Sequence, residues 1–169
     1  MDISIYKSNN ECLKHLESIK YANGVYCGKC GTSNGIYKRT NTNIYHCNSC
    51  NSDFTVLVGS VFQHTRFPLQ KWFAIINIIF DLKKDINSCK IAMLVGASRK
   101  VTFYVIKKIL NFYIPNEIFT YKEIKYKSNI FVIRKINDNV YINDVIFKDY
   151  IENIDADTFI YLTLNLSHK

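Results

Sequence analysis

Two cysteine pairs, Cys27-Gly28-Lys29-Cys30 and Cys47-Asn48-Ser49-Cys50, are separated by sixteen residues, and no other feature limits the possible folds of this chain so strongly. Each C-x-x-C turn places two sulfurs on one side of a tight bend. A hairpin that brings the two turns together completes a tetrahedral site with Zn–S bonds of about 2.3 Å. The residue after the second cysteine of such a turn tends to need a positive φ, and here it is Gly31 and Asn51, the residue types that adopt it most readily. Peptide N–H groups in the turns, helped by Lys29, would offset the charge of four thiolates. An iron–sulfur centre can use the same ligands, but the spacing has no ferredoxin-like clustering. Cys27, Cys30, Cys47 and Cys50 are therefore expected to hold a structural Zn2+, since four thiolates leave no position open for water or substrate. The β-prone runs between them are too small to be held by burial alone, so metal binding should contribute to their folding.

The remaining cysteines and histidines carry less. His46 neighbours Cys47, and successive strand residues point to opposite faces, so a surface or DNA-contacting role is expected for it. Cys12 and Cys89 fall on predicted helices as small buried residues. Paired C-x-x-C spacing does not resemble a secreted disulfide framework, and residues 1–6 lack a charged-then-apolar leader. The longest apolar stretch, residues 72–82, is interrupted by Asn77 and Asp81 and is too short to span a bilayer. An intracellular reducing compartment, cytoplasm or nucleus, without membrane association, is the expectation.

The formal net charge of +8 is unevenly spread. Residues 66–110 carry nine Lys/Arg against Asp81 and Asp85, whereas residues 121–169 balance seven against seven. A basic field confined to one segment points to a polyanion, and nucleic acid is the first candidate.

The pattern along the chain predicts an α+β protein in three parts: residues 1–65 as an N-terminal helix and zinc ribbon, 66–115 as a helix-turn-helix, and 116–169 as a short β-rich tail. Ser8 and Glu11 have capping-box spacing, and Leu13, Leu16 and Ile19 follow at helical intervals, which predicts a helix over 9–20. Short strands are expected at 36–39, 44–47 and 54–58. Pro68 suits the first turn of a core helix over 69–82. Helices at 88–95 and 98–112 follow, with a turn at Gly96-Ala97 and Ser98 as a cap. In the tail, strands are expected at 129–136, 139–147 and, most clearly from its alternation, 158–166, with a turn at Asn137-Asp138-Asn139.

With Val101, Val105 and Ile109 turned inward, the last helix of the trio would present Arg99, Lys100, Phe103, Tyr104, Lys107 and Lys108 outward. Three-helix cores of this kind put the N-terminal half of the last helix in the major groove. Arg99 and Lys100 are then candidates for base edges. Lys107, Lys108, Lys83 and Lys84 suit phosphates, and Tyr104 either role. Double-stranded DNA is the expected partner.

Taken in order, these features resemble the insertion-sequence transposases related to the eukaryotic Merlin elements. The resemblance rests on Asn10-Glu11-Cys12-Leu13, on residues 21–31, on Tyr45-His46-Cys47-Asn48-Ser49-Cys50, and on Phe54-Thr55-Val56. It continues through Gly59-Ser60-Val61-Phe62, Pro68-Leu69-Gln70-Lys71-Trp72-Phe73 and residues 95–102, and so covers about residues 8–112. It implies binding to terminal inverted repeats, with strand transfer by a following RNase H-like domain that uses acidic residues and two divalent metals. No acidic strand motif of that kind follows Phe112, and residues 121–169 are too few for such a domain, which needs on the order of a hundred residues or more. Asp138, Asp144, Asp149, Glu152, Asp155 and Asp157 look like turn and solvent-face residues. Catalysis by this chain alone is not expected. Two alternatives stand beside the DNA-binding reading. One is a reduced DDE-type transposase or nuclease whose tail carboxylates converge on Mg2+. The other is a zinc-ribbon transcription factor docking on a protein, its tail sheet forming a partner surface or homodimer edge.

Overall fold

A computed structural model describes residues 8–82, 87–111, 121–126, 128–136, 139–143, 145–146 and 153–165. The chain starts with α1(Asn9–Lys20), where the expected cap is made: Ser8 Oγ accepts from the Glu11 N–H at 3.2 Å. Three short strands follow, β1(Ile36–Lys38), β2(Tyr45–Cys47) and β3(Ser52–Phe54), paired antiparallel in that order. The third strand ends at Phe54 instead of running to 58. From Thr55 the chain turns, with the Val58 N–H donating to Thr55 O and Ser60 N–H to Leu57 O, so Val56 enters the core from a turn and not from the ladder.

α2(Leu69–Leu82) begins one residue after Pro68, whose carbonyl accepts from the Trp72 N–H at 3.1 Å. The free N–H of Leu69 is satisfied from far away in sequence, by Asn9 Oδ1 of α1 at 2.9 Å. Trp72 through Ile76 and Ile78 through Phe80 are all buried. A helix apolar on every side must be surrounded, and α1 and three later helices all pack on it.

α3(Ser88–Val95) and α4(Arg99–Leu110) are capped by Asn87 and Ser98, and Gly96 between them takes the left-handed conformation at φ +59°. Lys71 of α2 donates to the Gly96 carbonyl and fixes this turn against the central helix. One position expected to face inward does not. Val101 is 37% exposed, and the buried face of α4 is Thr102, Val105, Ile106 and Ile109. The i, i+3, i+4, i+7 stripe that starts at Thr102 meets α2 and α3, and Val101 lies on its flank.

The tail holds a four-stranded antiparallel meander, β4(Tyr121–Tyr126), β5(Asn129–Ile136), β6(Asn139–Ile142) and β7(Val145–Ile146). The expected single strand over 139–147 is broken at Asn143, which sits at φ +50° and whose side-chain oxygen accepts from the Val132 N–H at 2.8 Å. Residues 137 and 138 of the expected turn lie outside the described residues. The chief correction is α5(Ala156–Asn165), a helix where alternation predicted a strand. Phe159, Ile160, Leu162, Thr163 and Leu164 are all buried, because the segment is packed between α1, α2 and β4. Asp155 starts it by accepting from the Thr158 N–H at 2.7 Å. With both parities buried, alternation of Ile160, Leu162 and Leu164 with their neighbours carried no information about a strand face.

One apolar cluster runs through all these parts, from Leu16 and Phe62 through Trp72 and Ile106 to Ile133 and Phe159. A smaller cluster of Cys27, Tyr45, Cys47 and Phe54 lies under the short sheet, and Tyr21 packs against both.

Candidate functional site

The short sheet and its two turns bring four sulfurs together. Cys27 N–H donates to Thr32 O at 2.8 Å and Gly31 N–H to Cys27 O at 2.9 Å, closing the first turn, while Asn48 N–H donates to Gly35 O at 3.0 Å and anchors the second. Gly31 at φ +77° and Asn51 at φ +49° both adopt the expected left-handed backbone. The Sγ atoms of Cys27 and Cys50 are 3.6 Å apart, those of Cys30 and Cys47 are 3.7 Å apart, and all four lie within 4.8 Å of one another. A regular ZnS4 tetrahedron with 2.3 Å bonds has an S–S edge of about 3.8 Å, whereas a disulfide needs about 2 Å. The donor set thus fits a tetrahedral thiolate-bound metal, and zinc is its structural cofactor. Among the described residues no other group of three or more His, Cys, Asp or Glu is close enough to hold a metal.

The electrostatics of the metal-free set are uneven. Burial raises the Cys47 thiol, but the Cys50 and Ser49 backbone amides and the neighbouring Cys30 and Cys50 thiols outweigh it and bring Cys47 down to about 7. The Thr32 amide favours the Cys30 thiolate, yet desolvation and the other three cysteines push Cys30 up to about 12. A fourth amide, that of Lys29, donates to Cys27 Sγ at 3.4 Å. Cys30 thus keeps its proton beside an ionised Cys47 unless a cation is bound.

His46 is not a ligand. Its Nδ1 lies 2.7 Å from Asp53 Oδ1 on the outer side of the sheet, and Arg39 reaches the same carboxylate at 2.8 Å. These two partners, His46 first, hold the Asp53 carboxyl below its usual range. Cys12 is buried, as expected, and burial raises its thiol to about 11. Cys89, expected buried, is exposed near the start of α3.

The basic candidates on α4 spread over its exposed half, Arg99 and Lys108 on opposite flanks and Lys100 and Lys107 between them. Arg99, Lys100, Phe103, Tyr104 and Lys107 are exposed and Lys108 is half-buried, its Nζ 5.3 Å from the centre of the Tyr104 ring. At about 100° per residue, Lys100, Tyr104 and Lys107 stand opposite the buried Thr102, Val105, Ile106 and Ile109. Lys83 and Lys84 lie outside the described residues, as do Asp138, Asp144, Asp149 and Glu152. Asp155 caps a helix, and Asp157 lies in that helix's first turn. No helix among the described residues is long and apolar enough to cross a membrane.

Sequence reasoning missed Lys20. It is 4% exposed and donates to the carbonyls of Val56, at 3.1 Å, and Val58, so it ties the end of α1 to the chain leaving the ribbon. Its only sequence signal was its place at the end of a helix.

The fold and the sulfur geometry define a zinc-ribbon protein. Residues 7–53 match the transposase zinc-ribbon domain of the IS1595 type. Over 91 residues the chain is 30% identical to an uncharacterized protein in transposable element ISH50 of Halobacterium salinarum, a stretch that is 52% of this chain and 30% of that relative. The chain thus spans about a third of the relative it matches, and it is related to insertion-sequence transposases through its ribbon. No solved structure matches.

Proposed function

We propose that this chain is a zinc-dependent DNA-binding protein that corresponds to the DNA-recognition front end of an insertion-sequence transposase, with α2, α3 and α4 as a helix-turn-helix. The observation that carries the reading is the outer face of α4: three cations and two aromatic rings are exposed, and the opposite face is anchored on α2 and α3. A helix anchored in this way can enter a major groove as a rigid rod. Lys100 and Arg99 at its N-terminal end are assigned to base edges. Lys107 and Lys108 are assigned to phosphates, with Lys83 and Lys84 in the same role by sequence, and Phe103 and Tyr104 to base or sugar contacts. The zinc ribbon serves as scaffold. Terminal inverted repeats are the proposed natural target, and a Merlin-related ancestry is the proposed origin. No catalytic residue is assigned.

The test is a titration of the zinc-loaded chain against duplex DNA at two KCl concentrations. Affinity should fall steeply with salt, because each neutralised phosphate releases counterions. A flat response would remove the basis for the reading.

A further inference from the structure

We propose that the 63–67 loop and one flank of α4 together form a second DNA contact, a groove that holds a backbone phosphodiester and its sugar beside the helix lying in the major groove. The inference rests on the DNA-binding reading and adds a site to it. A groove of about 410 Å³ lies between this loop and α4, and its lining includes His64, Arg66, Tyr104 and Lys108. Its base is apolar, formed by the buried Trp72 and Val105 with Phe67 and Val101, and none of its lining residues is acidic.

The loop is built to hold this shape. Thr65 Oγ1 accepts from Trp72 Nε1 at 2.8 Å and from the Phe67 N–H at 3.1 Å. Gln63 Oε1 accepts from the Gly59 N–H at 2.6 Å, and Gln63 Nε2 lies 3.0 Å from His64 Nε2. His64 and Arg66 are left exposed on a loop pinned to the central helix.

The position beside α4 sets the ligand. A major groove is about 12 Å wide and an α-helix with side chains about 10–12 Å across, so phosphates border an inserted helix on both flanks. With the N-terminal end of α4 at Lys100 turned to the base pairs, the flank that carries Val101, Tyr104 and Lys108 faces one bordering strand. Arg66 stands across the groove from that stripe, where a guanidinium can take two phosphate oxygens. The apolar base suits the deoxyribose edge of a nucleotide, which a bare anion lacks.

The experiment uses the full zinc-loaded chain and a random-sequence duplex over a KCl series. Arg66→Gln should weaken binding several-fold and lower the slope of log K against log salt by about 0.9, one phosphate's share. Lys108→Gln should do the same, Arg66→Lys should keep the slope, and Lys125→Gln, on β4, should leave it unchanged. A wild-type slope for Arg66→Gln, or an equal loss for Lys125→Gln, overturns the groove while the DNA-binding reading stands. Absence of salt-dependent duplex binding by the unaltered chain overturns both. Displacement of the duplex by millimolar inorganic phosphate at constant ionic strength, abolished by Arg66→Gln, would assign the groove to a free anion and also overturn the proposal.

Discussion

Lys20 carries an ammonium group into a place that is 4% exposed, with two backbone carbonyls to receive it and the Tyr26 ring centre 5.9 Å away. Lys20→Met would keep most of the packing and leave both acceptors of the 55–58 turn without this donor. A loss of about 1–3 kcal/mol is expected, measured by urea unfolding; an unchanged midpoint would show that water replaces the ammonium. The cysteines give the second prediction at this scale. Cys47, at about 7, is partly ionised near neutrality, whereas Cys30, at about 12, keeps its proton until a metal displaces it. Zinc uptake should therefore release protons, and zinc affinity should rise between about pH 6 and 8 as fewer protons compete for the sulfurs. Calorimetry in two buffers of different ionisation enthalpy reads this directly. Equal heats in the two buffers would argue against thiolate ligation.

The helices differ in how openly the sequence announced them. α1, α3 and α4 start at side-chain caps, Ser8, Asn87 and Ser98, and α3 ends on Gly96, where Lys71 also binds the turn. The Ser8 and Ser98 caps and the Gly96 turn act within a few residues, which is why they could be read from the chain. Gly96→Ala should cost about 1 kcal/mol or more, because a Cβ is disfavoured at φ +59°, although the nearest atom to that Cβ would be Lys71 Nζ at 3.9 Å, so strain and not collision is the cause. Thermal melting of the variant checks this, and a native melting temperature would mean the turn relaxes. α5 shows the opposite case. Its sequence alternates like a strand, and only its enclosure by α1, α2 and β4 decides that it is helical.

Across the whole molecule, the ribbon is coupled to the main core through Tyr21, which touches both apolar clusters, and through the Lys20 clamp. Trp72 is the chain's single tryptophan and lies at the centre of that core, so its fluorescence reports the core and not the ribbon. Chelation of zinc should lower the Trp72 melting temperature, by about 2–4 °C for each kcal/mol of metal-dependent stability that reaches the core. If zinc leaves and the Trp72 transition does not move, the ribbon melts as a separate unit. The zinc site itself was legible from the chain because its information is local: two four-residue turns, and Gly31 and Asn51 to permit their backbone. The same holds for the helix caps and for the basic character of α4. The inward face of α4, the helix at 156–165, the burial of Lys20 and the groove between the 63–67 loop and α4 were settled only in three dimensions. Each depends on which distant surface covers a residue, and an apolar or charged side chain has no local signature for that.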